Sequence, residues 1–259
     1  MAGATDFRGT CAAAVVLGAI ASTSTGAALA APACSFEPQG EGRVSAIIDA
    51  RSFRTDDGRE VRLAGIEAMG AGTSTLSALI AGRDVALRGE SDAPDRYGRQ
   101  AAFVFADSAD VSVQNLLLAR GEALVSGAIA DKACAEELIA AEAAARQARR
   151  GVWAGTSVIK NAESPSELLA RIGQFTVVEG KALSVRQAGA VTYINFGRRW
   201  TRDFAVTISK RMVPAFEAAG IDLKSLENKR IRVRGWIEAR GGPRIEALRV
   251  GQIELVGGN

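Results

Sequence analysis

The sequence predicts a mainly β chain with helices, organised as two small barrel-like units. Three observations lead there. Aromatic residues make up only 5% of the chain, while 28 glycines and repeated short Val/Ile/Leu alternations describe many short strands joined by tight turns. A length of 259 residues exceeds what one small core needs. Charge also divides at Ile172: residues 1–172 carry 17 Lys/Arg against 21 Asp/Glu, whereas residues 173–259 carry 15 against 8. The halves therefore differ, −4 against +7, beneath an overall net charge of +3. The second half is the expected polyanion surface.

At the N-terminus, Arg8 precedes the apolar run Cys11–Ala21 and small residues ending in Ala28-Leu29-Ala30. This pattern predicts an export signal over residues 1–30, with a periplasmic or extracellular destination. A membrane-tethering tail is the alternative, although the apolar run is short for a span. Cleavage after Ala30 removes Cys11 and leaves Cys34 and Cys134, an even pair that suggests a disulfide. Closing a loop of 100 residues restricts the unfolded chain by roughly 4–5 kcal/mol in the chain-entropy account. Lipidation of Cys34 is the rival, and APAC lacks the branched apolar residue expected upstream of it. Histidine is absent. Serine–histidine catalysis, the usual zinc sets and imidazole acid–base work are thereby excluded, so hydrolysis would need carboxylates, arginines and an oxygen-bound metal.

The elements of the first unit, residues 42–154, follow in order. RVSAIIDA and SFRTDDGREVRLAGI form a hairpin around the turn signal Asp57-Gly58. A short helix STLSALIAG, a strand RDVALRGE, a loop SDAPDRYGRQ and a strand AAFVFA come next. Helix VSVQNLLLARG then precedes an extended piece, EALVSGAI. Ala133–Trp153 is a helix rich in Ala, Glu and Arg, with Leu138 and Ile139 packing inward and Gly151 as its C-cap. A small barrel with inserted helices is the simplest assembly.

Residues 155–172, with TSVIKNAESPSE and its Ser-Pro turn signal, read as a linker. In the second unit, residues 173–257, GQFTVVEGKALSVRQ, AVTYINFG and DFAVTI alternate as strands. SKRMVPAFEAAG supplies a helix with Met212, Val213 and Phe216 inside, and KRIRVRGWIEAR and PRIEALRVGQIELV close the order. Three strands, a helix and two strands describe a five-stranded OB-fold-like barrel. In KRIRVRGWIE, Ile231, Val233 and Ile237 share one face, and Arg230, Arg232, Arg234 and Trp236 share the other as a cationic stripe. Arg198, Arg199, Trp200 and Arg202 form a second cluster. Such surfaces suit single-stranded nucleic acid, whose bases stack on aromatic faces while arginines track phosphates. Two other readings stay open: a solvated strand face with Trp200 or Trp236 capping the barrel, and binding of anionic cell-envelope polymers.

From Gly42 to Trp153 the motifs IID, VRLAGIE, DRYGR before an apolar strand, ARGEALV and GVW occur in an order that resembles the thermonuclease family, the staphylococcal-nuclease-like domains. The second unit is similar to an extra C-terminal domain found on some bacterial members. The resemblance implies a five-stranded OB barrel with helices. It also implies phosphodiester cleavage by two phosphate-holding arginines, calcium-binding carboxylates and a water-activating glutamate. Arg62 and Arg99 match the arginines, whose planar guanidiniums offer paired donors to phosphate oxygens. Asp49 and Glu67 match metal-ligand positions.

Other positions depart from the family. Asp-Gly-Asp-Thr becomes Asp49-Ala50-Arg51-Ser52, and Asp-Thr-Pro-Glu becomes Glu67-Ala68-Met69-Gly70, so Gly70 stands where the base belongs. A cation such as Arg51 about 4 Å from a divalent ion costs on the order of 8 kcal/mol at an effective dielectric near 20. Nucleotide-side tyrosines of the family correspond to Gly127 and Ile129, which leaves Tyr97 as the aromatic near the groove.

The resulting expectation is an exported thermonuclease-like protein that binds nucleic acid or another phosphate-bearing polymer, with hydrolysis weak or lost. One alternative is an active calcium-dependent endonuclease using Glu67 and Asp49, with Asp56, Asp57, Asp92 or Asp95 completing the site. Another is a structural or interaction protein of the cell envelope, with Arg62 and Arg99 in internal salt bridges, for instance to Glu67.

Overall fold

Alternation in the first strands becomes a ring. In the computed structural model, β1 (Pro38–Asp49) pairs with β2 (Ser52–Thr55), and β2 with β3 (Glu60–Leu63), both antiparallel. The Asp57-Gly58 turn joins the last two as expected; the Asp57 carboxylate accepts from the Thr55 hydroxyl (2.5 Å) and the Arg59 N–H (3.1 Å). The structure describes Cys34 and residues 36–69, 72–155 and 158–257. The expected export signal over 1–30 and Gly70 lie outside the described residues.

β4 (Ile66–Ala68) leads to helix α1 (Gly72–Ile80), then β5 (Asp84–Arg88) and β6 (Arg99–Ala106). β3 pairs with β6 in parallel, β6 with β5 and β5 with β1, so five strands close on themselves. Phe53, Val61, Leu63, Val85, Leu87 and Val104 fill the buried core of this half. Helix α2 (Val113–Arg120) is held at its start by the Ser112 hydroxyl, which accepts from the Asn115 N–H, and ends at Gly121 in the left-handed conformation. Its Gln114 is fully buried yet satisfied, donating to Ala102 O (2.8 Å) and accepting from the Val104 N–H (3.2 Å). β7 (Ala123–Val125) pairs with β4, and α3 (Lys132–Gln147) follows, capped by Asp131.

The end of α3 departs from expectation. It stops at Gln147, and Gly151 instead opens a 3-10 turn, Gly151–Ala154. The physical reason is a backbone crossing. A Cβ on Gly151 would lie 2.3 Å from Gly121 O, one on Gly121 2.1 Å from Arg150 O, and both residues have positive φ. The ARG and RRG motifs thus meet in space.

Within the expected linker over 155–172, residues 158–172 hold regular structure. β8 (Ile159–Asn161) pairs in parallel with β9 (Phe175–Lys181), and α4 (Pro165–Leu169) buries Leu168. Beyond them run β10 (Ser184–Ala188), β11 (Val191–Asn195), β12 (Ala205–Ser209), α5 (Val213–Ala218) and β13 (Arg230–Trp236). β14 (Glu238–Arg240), β15 (Gly242–Glu246) and β16 (Ile253–Leu255) complete the chain. The expected single five-stranded barrel is corrected here to two sheets, ordered β10-β11-β12-β15-β14 and β16-β13-β9-β8. The long predicted strands bend at Ala182 and at Ile237, so each serves both sheets instead of closing one ring. Their shared core includes Val178, Ile194, Val206, Phe216, Val233 and Ile245.

Residues Ala31–Asn259 cluster as one compact unit, and the joint between halves is tight. Gly127, at φ 70°, approaches Gly251 so closely that a Cβ would lie 2.6 Å from its carbonyl oxygen. Ile129 is buried against Gly65 and the α3 side chain Leu138. Positions that resemble nucleotide-facing tyrosines are therefore spent on internal packing. Cys34 and Cys134, both buried, are joined by a disulfide with Cα atoms 4.4 Å apart, so Cys34 carries no free thiol.

Candidate nucleic-acid interface

Arg51 sits in the turn between β1 and β2, and its guanidinium reaches across to β4. It forms an ion pair with Glu67 and donates to Ile66 O (3.3 Å). Asp49 is exposed, and its carboxylate accepts the Arg51 backbone N–H (2.8 Å). Burial pushes the Glu67 carboxyl above its ordinary value, outweighing the hydrogen bond and charge of Arg51 that pull it down. The two expected metal ligands are thus engaged with Arg51. No group of three or more Cys, Asp or Glu side chains gathers as a metal site among the described residues. Calcium takes six to eight oxygens, and a cation already holds the Glu67 carboxylate, so these residues do not fit that ion.

The two expected phosphate arginines lie on neighbouring parallel strands, where Arg62 sits beside Ala101 and Arg99 beside Glu60. Their environments differ. Arg62 is half-buried, and among the described residues its guanidinium has no hydrogen-bond or ion-pair partner. Arg99 is committed to Asp95 through Nε (3.0 Å) and Nη2 (2.8 Å) and lies 5.0 Å from the Tyr97 ring centre. Neither pairs with Glu67, because Arg51 occupies that carboxylate; the internal-bridge alternative holds for Arg99, through Asp95, and not for Arg62.

Hydrogen bonding from Arg99 lowers the Asp95 carboxyl from 3.8 to about 2, against a smaller opposing effect of desolvation. A depressed folded-state value contributes stability above the ordinary value and loses it as pH falls toward the folded one. Pepsin cleavage near exposed Tyr97, measured relative to an unstructured control peptide that reports pepsin's own pH dependence, is therefore expected to rise as pH drops from 3.8 to about 2. Asp95→Asn should remove that dependence, and an unchanged pH profile in the variant would contradict the assignment.

The expected cationic stripe on β13 is corrected by its burial. Arg232 and Arg234 are 6% and 0% exposed. Arg232 bridges Glu179 and Glu254, each at 2.8 Å, while Arg234 bridges Glu142 and Glu254, each at 2.9 Å. Arg230 is exposed but paired with Glu179 (2.6 Å). Alternation on β13 correctly separated two faces. The arginine face, however, meets α3 and β7 of the first half, where Glu142 and Val125 O receive Arg234.

Trp236, half-exposed, leaves the end of that strand and lies edge-on to Phe175, ring centres 6.2 Å apart. It lines a cleft of about 490 Å³ together with Arg51, Arg62, Arg249 and the acids Glu67, Glu238 and Glu246. Trp236 and the thermonuclease-like residues thereby share one site.

Arg198, Arg199, Trp200 and Arg202 are all exposed, Trp200 at 77%, so neither it nor Trp236 caps a core. Arg198 and Trp200 border a second, larger groove together with Arg186, Tyr193 and Arg240, residues the sequence reading passed over. Their signal was available: in SVRQA and VTYIN, Arg186 and Tyr193 alternate with buried Val185 and Ile194.

Residues 61–155 match the family model described as staphylococcal nuclease homologue. Arg62, Glu67, Tyr97 and Arg99 lie within the match, whereas Asp49 and Arg51 precede it. No curated protein matched the chain. Residues 61–155 therefore carry a thermonuclease-like domain of the staphylococcal nuclease kind.

Proposed function

We propose that this is an exported protein that binds nucleic acid or another phosphate-bearing polymer without calcium-dependent cleavage. The carrying observation is the Arg51 guanidinium on Glu67, which puts a permanent cation where the resemblance places a divalent ion. Glu67, tied to Arg51, is not free to serve as a base or ligand. Arg62 faces the cleft with its donors uncommitted, and planar guanidinium donors match phosphate oxygens. Trp236, in the same cleft, supplies an aromatic surface for a base. The Cys34–Cys134 disulfide agrees with an oxidising compartment, which supports export.

The test uses the purified mature protein with supercoiled and single-stranded DNA, in calcium or in chelator. Salt-dependent retention without nicking is expected. Arg62→Ala should weaken retention about tenfold, as loss of one charge-assisted hydrogen-bonding group worth roughly 1.5 kcal/mol. Chelator-sensitive cutting that disappears in an Arg62→Ala, Arg99→Ala double variant would overturn the proposal.

A further inference from the structure

The sheet β10-β11-β12-β15-β14 has two faces of opposite character. Val185, Ile194, Val206 and Ile245 point into the core. The residues alternating with them point outward: Arg186 stands beside Tyr193, and Tyr193 beside Thr207. A neighbouring row runs through Ser184, Asn195, Ala205 and Arg244. Short side chains thus floor the middle of this face. Its margins are raised by the loop that carries Arg198 and Trp200 and by the β14–β15 hairpin, whose first strand ends at Arg240, and together they enclose a groove of about 870 Å³. The rims are fixed to one another. Gly242 lies so near the other loop that a Cβ would sit 2.6 Å from Asp203 O, and the Asp203 carboxylate accepts the Arg199 N–H (2.7 Å).

Pairing separates this groove from an ordinary solvated strand face. On β13 every arginine meets glutamate. In the groove, Arg186, Arg198 and Arg240 have no hydrogen-bond or ion-pair partner among the described residues, and Arg244 alone is bridged, to Glu238. Four arginines line it against one acid, Asp203, whose carboxylate is held by its own loop. Trp200 leaves most of an indole in water beside these charges. A large exposed aromatic among unpaired guanidiniums is costly to display to solvent alone and matches a ligand with flat rings and regularly spaced anions.

We propose that this groove binds single-stranded nucleic acid, with bases stacked on Trp200 and Tyr193 and phosphates met by Arg186, Arg198 and Arg240. A duplex keeps its bases paired and stacked internally, which leaves Trp200 without a base to cover; a sulfated or teichoic-type polymer offers charge but no flat aromatic rings. The inference deepens the polyanion reading and rests on it for the ligand's class. It adds a site in the other half of the chain and names the strand state.

The test is fluorescence anisotropy of a labelled short oligothymidylate, its duplex counterpart and dextran sulfate as competitor, with the full mature chain. Trp200→Ala should weaken oligothymidylate binding by at least about fivefold, the lower end of base–aromatic stacking. Arg198→Ala with Arg240→Ala should reduce the slope of log affinity against log salt by roughly 1.4, about 0.7 for each phosphate contact on a single strand. Duplex should bind more weakly and be insensitive to Trp200→Ala. All these side chains are exposed, and unchanged circular dichroism would show the variants folded. If Arg62→Ala weakens binding while the Trp200 and Arg198/Arg240 variants do not, the groove proposal fails and the polyanion reading stands. If dextran sulfate competes as well as oligothymidylate and Trp200→Ala changes neither, the ligand is a generic polyanion and the proposal is likewise overturned. If no phosphate-bearing polymer binds at all, both readings fall.

Discussion

Arg234→Ala is expected to destabilise the protein by about 3–5 kcal/mol, the range for removing one partner of a buried ion pair. Arg234 and Glu142 are both fully buried, and Arg234 also joins Glu254 and Val125 O. Truncation would strand the Glu142 carboxylate in the joint between the halves without its strongest donor. What remains to it is the Val125 N–H (2.7 Å) and the longer contact to Arg146 (3.3 Å). Urea unfolding measures the loss, and Glu142→Gln provides the control. An amide oxygen still accepts from Val125 N–H and Arg234 keeps Glu254, so the control should lose less. A loss under about 1 kcal/mol for Arg234→Ala, the scale of an exposed pair, would return Arg234 to the solvent-facing stripe that alternation alone suggests.

The second large effect concerns the Cys34–Cys134 bond. Replacing both cysteines with serine should lower stability by about 4–5 kcal/mol through regained freedom of the unfolded chain. The bridge spans 100 residues, so it restrains almost the whole first half, tying the segment before β1 to the first turn of α3. Denaturant curves of the oxidised protein, the reduced protein and the double serine variant should place the last two together, well below the first. A reduced protein as stable as the oxidised one would show that burial of the two side chains, rather than the bond, holds this end.

Much of the first half was legible residue by residue. Asp57-Gly58 specified a turn because its carboxylate can close onto nearby donors, and α2 is punctuated by Ser112 and Gly121. The order VRLAGIE, DRYGR, ARGEALV predicted the domain that the family match then supported. The C-terminus of α3 was misread because Gly151 looks like a helix terminator, whereas its role is close passage past Gly121, a contact made by residues 30 positions apart. For the candidate site, the sequence identified Arg51 as the intruding cation and Arg62 as a phosphate candidate. It could not tell that Arg99, at the start of β6, is drawn off by Asp95, four residues earlier in the preceding loop.

By itself, then, the sequence determined what short range decides: strand alternation, caps, turns, the disulfide pair and the identities of residues in the family's site positions. The tertiary structure alone decided what each charged face meets. Alternation assigns side chains to two faces but says nothing of whether a face borders water or another packed element. The three arginines of β13 therefore read the same as Arg186 and Arg198 until folding buries two of them, Arg234 against Glu142 of α3 and Arg232 between Glu179 and Glu254. Burial makes Arg232 and Arg234 supports paired with glutamates, while openness leaves Arg186, Arg198 and Arg240 uncommitted around Trp200.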